Sequence, residues 1–320
     1  MNALHTTRRN LLALSLTLGA FTAMAQDSVL RIVVPYPAGG SSDRAARFLA
    51  EALGPRIQQT VVVENIVGAG GRLAMQQLKR STVDAHNTLV LVNPALMVIA
   101  PTVYKNNGYD AEADYQPVSQ IARYEFAATV GAAVPVREFN HLLAWIRANP
   151  EKANFGVPAT GSLPHFFALM TAQAAGTQTP IIGYRGSAPL TQDLIGGHVP
   201  VAIDSIDALL PLHEAGRVRI LATSGERRLV PTIPTLKESG MNVVATGWNT
   251  LYAKTEMGKD RVALLAREIA QIMTQPKIRE QFAAAKAEPV SASLAQTQTT
   301  LAAFKAQWVP VVQKSGLKLD

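Results

Sequence analysis

VVPYPAGGSSDRAAR (Val33–Arg47) carries the transition that decides the fold. The strand VLRIVVPY (Val29–Tyr36) reads as buried and passes into a turn with two glycines, two serines and an aspartate. A helical pattern follows at once. DRAARFLAEALG (Asp43–Gly54) sets Ala45, Phe48, Leu49, Ala52 and Leu53 on one face, and Gly54-Pro55 is expected to stop it. A helix start leaves N–H groups unpaired and carries partial positive charge, which suits a carboxylate or a phosphate. Glycines let an anion approach the backbone closely, and the hydroxyls of Ser41 and Ser42 add donors. Asp43 acts in the opposite sense, either capping the helix itself or accepting from an ammonium group.

Outward from this unit the alternation repeats. TVVVEN (Thr60–Asn65) is a second strand and GRLAMQQLKR (Gly71–Arg80) a second helix. TLVLVN (Thr88–Asn93) is a third strand, with Pro94 at a turn or first helical position. Three successive strand–helix units imply a parallel sheet with helices on its faces. Over VSQIARYEFAATVGAAV (Val118–Val134) the helical period fades into one long strand or a strand pair, read as a passage between lobes. The alternation then restarts through NFGV (Asn154–Val157), PIIGY (Pro180–Tyr184), VPVAID (Val199–Asp204) and VRILATS (Val218–Ser224), and the remainder is mostly helical. The expected fold is α/β: two lobes, each a parallel-rich sheet flanked by helices, with the ligand cleft between them beside the carboxyl ends of the strands. Residues 26–124 and 225–320 are assigned to the first lobe and 125–224 to the second.

Residues 1–25 are set aside as an export signal. Arg8 and Arg9 precede an apolar run from Leu11 to Phe21, and Ala23-Met24-Ala25 is a cleavage pattern. That run is shorter than the about 20 residues a membrane-spanning helix needs. The general secretory route is preferred to the twin-arginine route, so the mature chain is expected in the periplasm. Cleavage removes two arginines and no acidic residue, lowering the formal charge from +7 to +5. With the basic residues scattered, this reads as a solvated surface and no nucleic-acid site. The absence of cysteine excludes disulfides, thiolate metal sites and cysteine nucleophiles.

Two further loops share the make-up of the first. Pro158-Ala159-Thr160-Gly161-Ser162 follows a strand and precedes an apolar helix, as does Tyr184-Arg185-Gly186-Ser187-Ala188-Pro189. Arg185 is the one strong cation among the three loops. Two such rims facing each other would clamp a ligand with two carboxylates, or with one carboxylate and a polar tail. Enzymatic signatures are weak. Gly68-Ala69-Gly70 lacks the third small residue of a dinucleotide loop, Leu73 standing there, and neither a nucleophile elbow nor a Walker loop occurs. His86, His141, His165, His198 and His213 have no metal-ligand spacing. Ser162 with His165 does not by itself assemble a triad, and Asp193, Asp204 and Asp207 are explained by helix capping or inter-lobe hydrogen bonding.

The motifs RIVVPYPAGGSSDRAAR, VVVENIVGAGGRLA, YDAEADYQPVSQIA, NFGVPATGSLPHF, YRGSAPLTQDLIGGHVPVAID and ILATSGERRLVPTIPTLKESG, in this order, resemble the Bug or TctC-like receptors of tripartite tricarboxylate transporters. The resemblance runs from about Arg31 onward. It implies a monomeric, two-lobed class II periplasmic solute-binding protein that uses no cofactor or metal and closes on a small organic acid. The ligand class is a di- or tricarboxylate, an amino acid or an aromatic acid, and the partners are membrane permease subunits or a sensor protein. The binding residues it implies are Tyr36, Ala38, Gly39, Gly40, Ser41 and Ser42 in the first loop, Asn93 after the third strand, and Thr160, Gly161, Ser162 and His165 in the second. To these it adds Tyr184, Arg185, Gly186, Ser187 and Ala188 in the third loop, Asp204, and Trp248. Arg185 stands where lysine is more common, Pro158 and Pro164 stiffen the second loop, and Val83–Thr88 departs from the family's turn. The alternatives are a ligand-sensing receptor and an exported hydrolase using Ser162, His165 and an aspartate.

Overall fold

In the computed structural model, which describes residues 29–82 and 85–320, β1 (Leu30–Val34) lies inside a sheet between β2 (Val61–Asn65) and β3 (Thr88–Val92), parallel to both. The export signal expected over residues 1–25, with Val83 and Asp84, falls outside the described residues. β1 is apolar apart from Arg31, which pairs with Glu64 of β2, because helices cover both faces. Ile32 and Val34 pack in a cluster with Leu49 and Leu53 of α1 (Ser41–Ile57), whereas Val33 belongs to a cluster that includes Met75 of α2 (Arg72–Arg80). After β3, Asn93 and Pro94 lead into a π-helical turn (Ala95–Ile99) continued by α3 (Ala100–Val103).

β4 (Tyr115–Gly131) then crosses from one half of the molecule to the other. Its 17 residues span about 55 Å. The second half is built from α4 (Phe139–Ala148), β5 (Phe155–Val157), α5 (Leu163–Ala174), β6 (Ile181–Gly183), α6 (Ser187–Gly196), β7 (Val201–Ser205), α7 (Ile206–Glu214) and β8 (Val218–Thr223). β9 (Thr246–Lys254) re-enters the first half and is followed by α8 (Lys259–Ile272), α9 (Pro276–Ala284), β10 (Glu288–Pro289) and α10 (Leu294–Lys314). The strand order among the described residues is β2-β1-β3-β9-β4-β7-β5-β6, with β8 and β10 also paired to β4.

The two ends of this sheet are parallel, as the strand–helix alternation implies: β2-β1-β3 in one lobe and β6-β5-β7 in the other. The middle is antiparallel. β4 pairs β9 from Tyr115 to Glu125 and then β7 and β8 from Phe126 onward. The Val118–Val134 stretch is therefore a single strand over most of its length, because a change of partner along one strand takes the place of a turn. The return crossing lies beside it. Ser224 exchanges bonds with Phe126, its N–H with that carbonyl (2.9 Å) and its hydroxyl with that N–H (2.9 Å), and it also bonds Ala245 through both backbone and hydroxyl.

One helix end differs from expectation. α1 passes through Pro55 and ends at Ile57. Pro55 sits in the last turn, so the carbonyl deprived of its N–H belongs to exposed Glu51. Gln58, in a left-handed conformation, closes the helix on the Gly54 carbonyl.

Candidate functional site

The loop after β1 is clasped by Asp43. Its Oδ2 accepts the Gly39 N–H (2.9 Å) and Arg47 Nε (3.0 Å), and its Oδ1 accepts the Arg47 guanidinium and Asn65 Nδ2, both at 3.0 Å. Asn65 also donates to the Tyr36 carbonyl (3.0 Å). Burial would raise the Asp43 carboxyl, but the bonds from Arg47, Gly39 and Asn65 outweigh it and hold the group below the usual carboxylate range. Asp43 thus serves neither as the N-cap, which is Gly40, nor as an open acceptor: both oxygens are spent inside the protein. Gly39 stands at φ +81°, a conformation that favours glycine. Its N–H is committed to Asp43, so the donors left to the helix start are the first-turn N–H groups of Ser41, Ser42 and Asp43. The Ser42 hydroxyl donates to Asn249 Oδ1 (2.9 Å), and Ser41 borders a small recess shared with Tyr124 and Asn249. Ala38, Gly39 and Gly40 are exposed.

The two loops of the other lobe are tied together. The Tyr184 N–H donates to the Val157 carbonyl (2.8 Å) and the Gly186 N–H to that of Pro158 (2.9 Å). Thr160 sits so closely over Gly183 that a Cβ there would fall 2.1 Å from its Oγ1. The Tyr184 hydroxyl donates to Asp193 (2.8 Å), and burial with this partner pushes its pKa up to about 12. Gly186, at φ +108°, is the N-cap of α6, and Ser187 begins the helix. A Cβ on Gly186 would lie 3.9 Å from Pro37 Cγ, so the loop before α1 and the loop before α6 face each other across the lobes. Gly161 is likewise apposed to the first lobe, its would-be Cβ 3.4 Å from Leu319.

Ser162 caps α5, accepting the His165 N–H (3.4 Å), while its hydroxyl donates to the Ala159 carbonyl (2.7 Å). The His165 contact is through backbone, so no imidazole relay to Ser162 exists. His165 is buried, its Nδ1 lacks a partner, and burial lowers its pKa, leaving the ring neutral. Trp248 is 6% exposed and packs edge-on against Phe304 (4.6 Å) in the core. Arg185 and Ala188 are exposed on the third loop.

Between the facing loops, polar groups collect at strand ends. The Tyr36 hydroxyl is buried without a partner; burial raises its pKa well above the tyrosine range, with Tyr124 adding and the Asn93 backbone opposing. Burial also raises Tyr124, reinforced by Asp207 and Asp204 and opposed by the Asn93 side chain. Burial pushes Asp204 up to about 7; the Ser187 hydroxyl and Ser205 act against this and Asp207 with it. Tyr36, Asn93, Ser187 and Asp204 of the sequence reading are therefore within electrostatic reach of one another. Three members of the group carry no sequence signal that marks them as ligand residues. Tyr124 is hidden in an apolar strand, Arg44 looks like one more solvated helix residue, and Asp207 reads as a helix cap or inter-lobe bond. The last role is the observed one, since Arg44 donates to Asp207 (2.7 Å) across the lobes. Among the described residues no group of His, Asp or Glu side chains is arranged to hold a metal ion.

The family model described as the tripartite tricarboxylate transporter family receptor (TctC) matches residues 45–317. The chain is similar to Protein BugT of Bordetella pertussis, with 30% identity over 293 residues that span 91% of this chain and 90% of that protein. Among solved structures it is similar to R. palustris Rpa4515 with adipate, at 29% identity and a TM-score of 0.85 over 90% of this chain and 97% of that one. It is also similar to the periplasmic binding protein BugD, at 27% identity and a TM-score of 0.82 over 91% of this chain and 98% of that one. The two facing loops, the crossing strands and these matches lead to one conclusion: the chain belongs to the tripartite tricarboxylate transporter receptor family, and is a periplasmic-type solute-binding protein of the TctC/Bug kind.

Proposed function

We propose that this protein captures a small organic carboxylate between its lobes, with the carboxylate held at the starts of α1 and α6. The observation that carries this reading is the apposition of two glycine-led helix N-termini, Pro37 against Gly186, across a cleft lined by buried polar groups. Rpa4515, solved with adipate, supports the ligand class by similarity. The lobes are 26–124 with 225–320, and 125–224, so that the crossings fall beside Glu125 and Ser224. The ligand contacts are the residues of the three loops with Tyr36, Asn93, His165, Asp204 and Trp248. Residues 1–25 direct export to the periplasm, where the closed monomer is presented to permease subunits of a tripartite transporter. A sensor protein in place of the permease is the second reading. A hydrolase is disfavoured by the bonding of Ser162, whose hydroxyl is spent on Ala159.

Thermal denaturation against di- and tricarboxylates, amino acids and aromatic acids tests this. An acid that binds only the folded form at 100 times its Kd stabilises by about 2.7 kcal/mol and raises Tm. If no acid raises Tm, while an ester or amide is turned over, the binding reading is wrong.

A further inference from the structure

The floor of the cleft holds charges that carboxylate binding leaves unused. Arg44 donates to the Gly39 carbonyl (2.6 Å) within its own lobe and reaches Asp207 Oδ2 (2.7 Å) in the other. The Asp207 side chain is 9% exposed, and its Oδ1 is buried without a hydrogen bond. Asp204, at the end of β7, is 3% exposed; its Oδ1 accepts the Ser205 N–H (2.7 Å), and its Oδ2 is buried without a hydrogen bond, with the Ser187 hydroxyl nearby. The buried, unbonded hydroxyl of Tyr36 completes the set. Two carboxylates thus lie within electrostatic reach of each other, and only Asp207 is paired with the guanidinium; each unpaired buried acceptor carries a desolvation penalty.

We propose that Asp204 and Asp207, braced by Arg44, form an ammonium-binding end of the cleft, so that the ligand is an amino acid. Its carboxylate lies at the starts of α1 and α6 and its ammonium at Asp204 Oδ2 and Asp207 Oδ1; this rests on the carboxylate-binding reading above. An ammonium presents several N–H donors from one compact centre, and two of them satisfy the two unspent oxygens. A plain dicarboxylate brings only acceptors to this end and meets like charge. Arg44 does not turn to the ligand instead, because both arms are engaged and leaving Asp207 would strand a second buried charge. No metal competes for the oxygens, since the described residues supply no third carboxylate or histidine beside them.

Calorimetric titration with skeleton-matched pairs reads the ammonium directly: succinate against aspartate, glutarate against glutamate, and adipate against 2-aminoadipate. In at least one pair the amino acid is expected to bind roughly 10- to 100-fold more tightly than its partner. Asp207→Asn and Asp204→Asn should each bring the ratio of affinities within a pair toward one, the amino acid losing more than its unsubstituted partner. If one variant does not fold, the other carries the test. Plain acids binding the wild type as well as their amino partners overturn the assignment and leave the carboxylate reading standing. Equal weakening of both members by both variants also overturns it, since the aspartates would then act only on lobe closure. If no acid of either kind binds, both readings fall.

Discussion

Asp43 in α1 and Asp204 in β7 are shifted in opposite directions by what surrounds them. Asp43 is bonded at both oxygens, so its folded pKa is lowered. It contributes stability above its unfolded value that is lost as pH falls through its folded value. Asp204 is buried with one oxygen unpaired, and its pKa is raised to about 7. A raised carboxyl pKa means the folded state holds the proton more tightly than the unfolded chain does. Stability therefore falls as pH climbs from the unfolded value, near 3.8, toward about 7. The two windows do not overlap. Asp204→Asn cannot ionise, so across that interval its stability should lack a decline on the order of a few kcal/mol that the wild type shows on top of the titration of Glu125 and His165 common to both. Urea unfolding of both proteins from about pH 4 to pH 8 measures the difference. Parallel curves would mean that Asp204 titrates as an ordinary carboxylate.

At the scale of elements, the fold depends on β4 changing partners at Glu125–Phe126 and on Ser224 joining the two crossings there. Ser224 is fully buried, and its hydroxyl serves the Phe126 N–H and the Ala245 carbonyl together. Ser224→Ala leaves a donor and an acceptor unpaired, and should cost about 1–3 kcal/mol for each group left without a partner. Equilibrium denaturation checks this, and a change under about 0.5 kcal/mol, on the order of a surface substitution, would mean that the Ser224 hydroxyl does not hold the two crossings together. The sequence made the strands and helices of each half readable because their apolar patterns are local: Leu30–Val34 as a buried strand, and Ala45, Leu49 and Leu53 as a helix face. The glycine-led turns before α1 and α6 were readable for the same reason, since Gly39 and Gly186 mark backbone that other residues resist. β4 was only half readable. An apolar run records that a segment is buried, not that its neighbours change midway. Pro55 misled because a proline ends a helix only when its missing bond falls in the interior, not in the last turn.

At the scale of the whole molecule, the cleft is assembled from residues far apart in the chain, which limits what sequence order reveals. Arg44 and Asp207 are 163 positions apart, and neither has a local signature of pairing. Pro37 meets Gly186, and Leu319 meets Gly161, only because the sheet brings one lobe's strand ends opposite the other's. All three appositions span the lobes, and on the proposed reading they part to admit a ligand. Small-angle scattering should show a larger radius of gyration for the free protein and a fall on adding a bound acid, toward the about 19 Å of a compact chain of this size. Gly186→Leu tests whether the loop apposition is what closes. A leucine at φ +108°, ψ 174° strains its own backbone by about 1–3 kcal/mol, and its side chain projects toward Pro37. The variant should therefore fold, with a modestly lowered Tm, yet keep the larger radius and lose acid binding. If it contracts and binds as the wild type does, the contact between the α1 and α6 loops is incidental, and closure is carried by Arg44–Asp207 and the Leu319 contact instead.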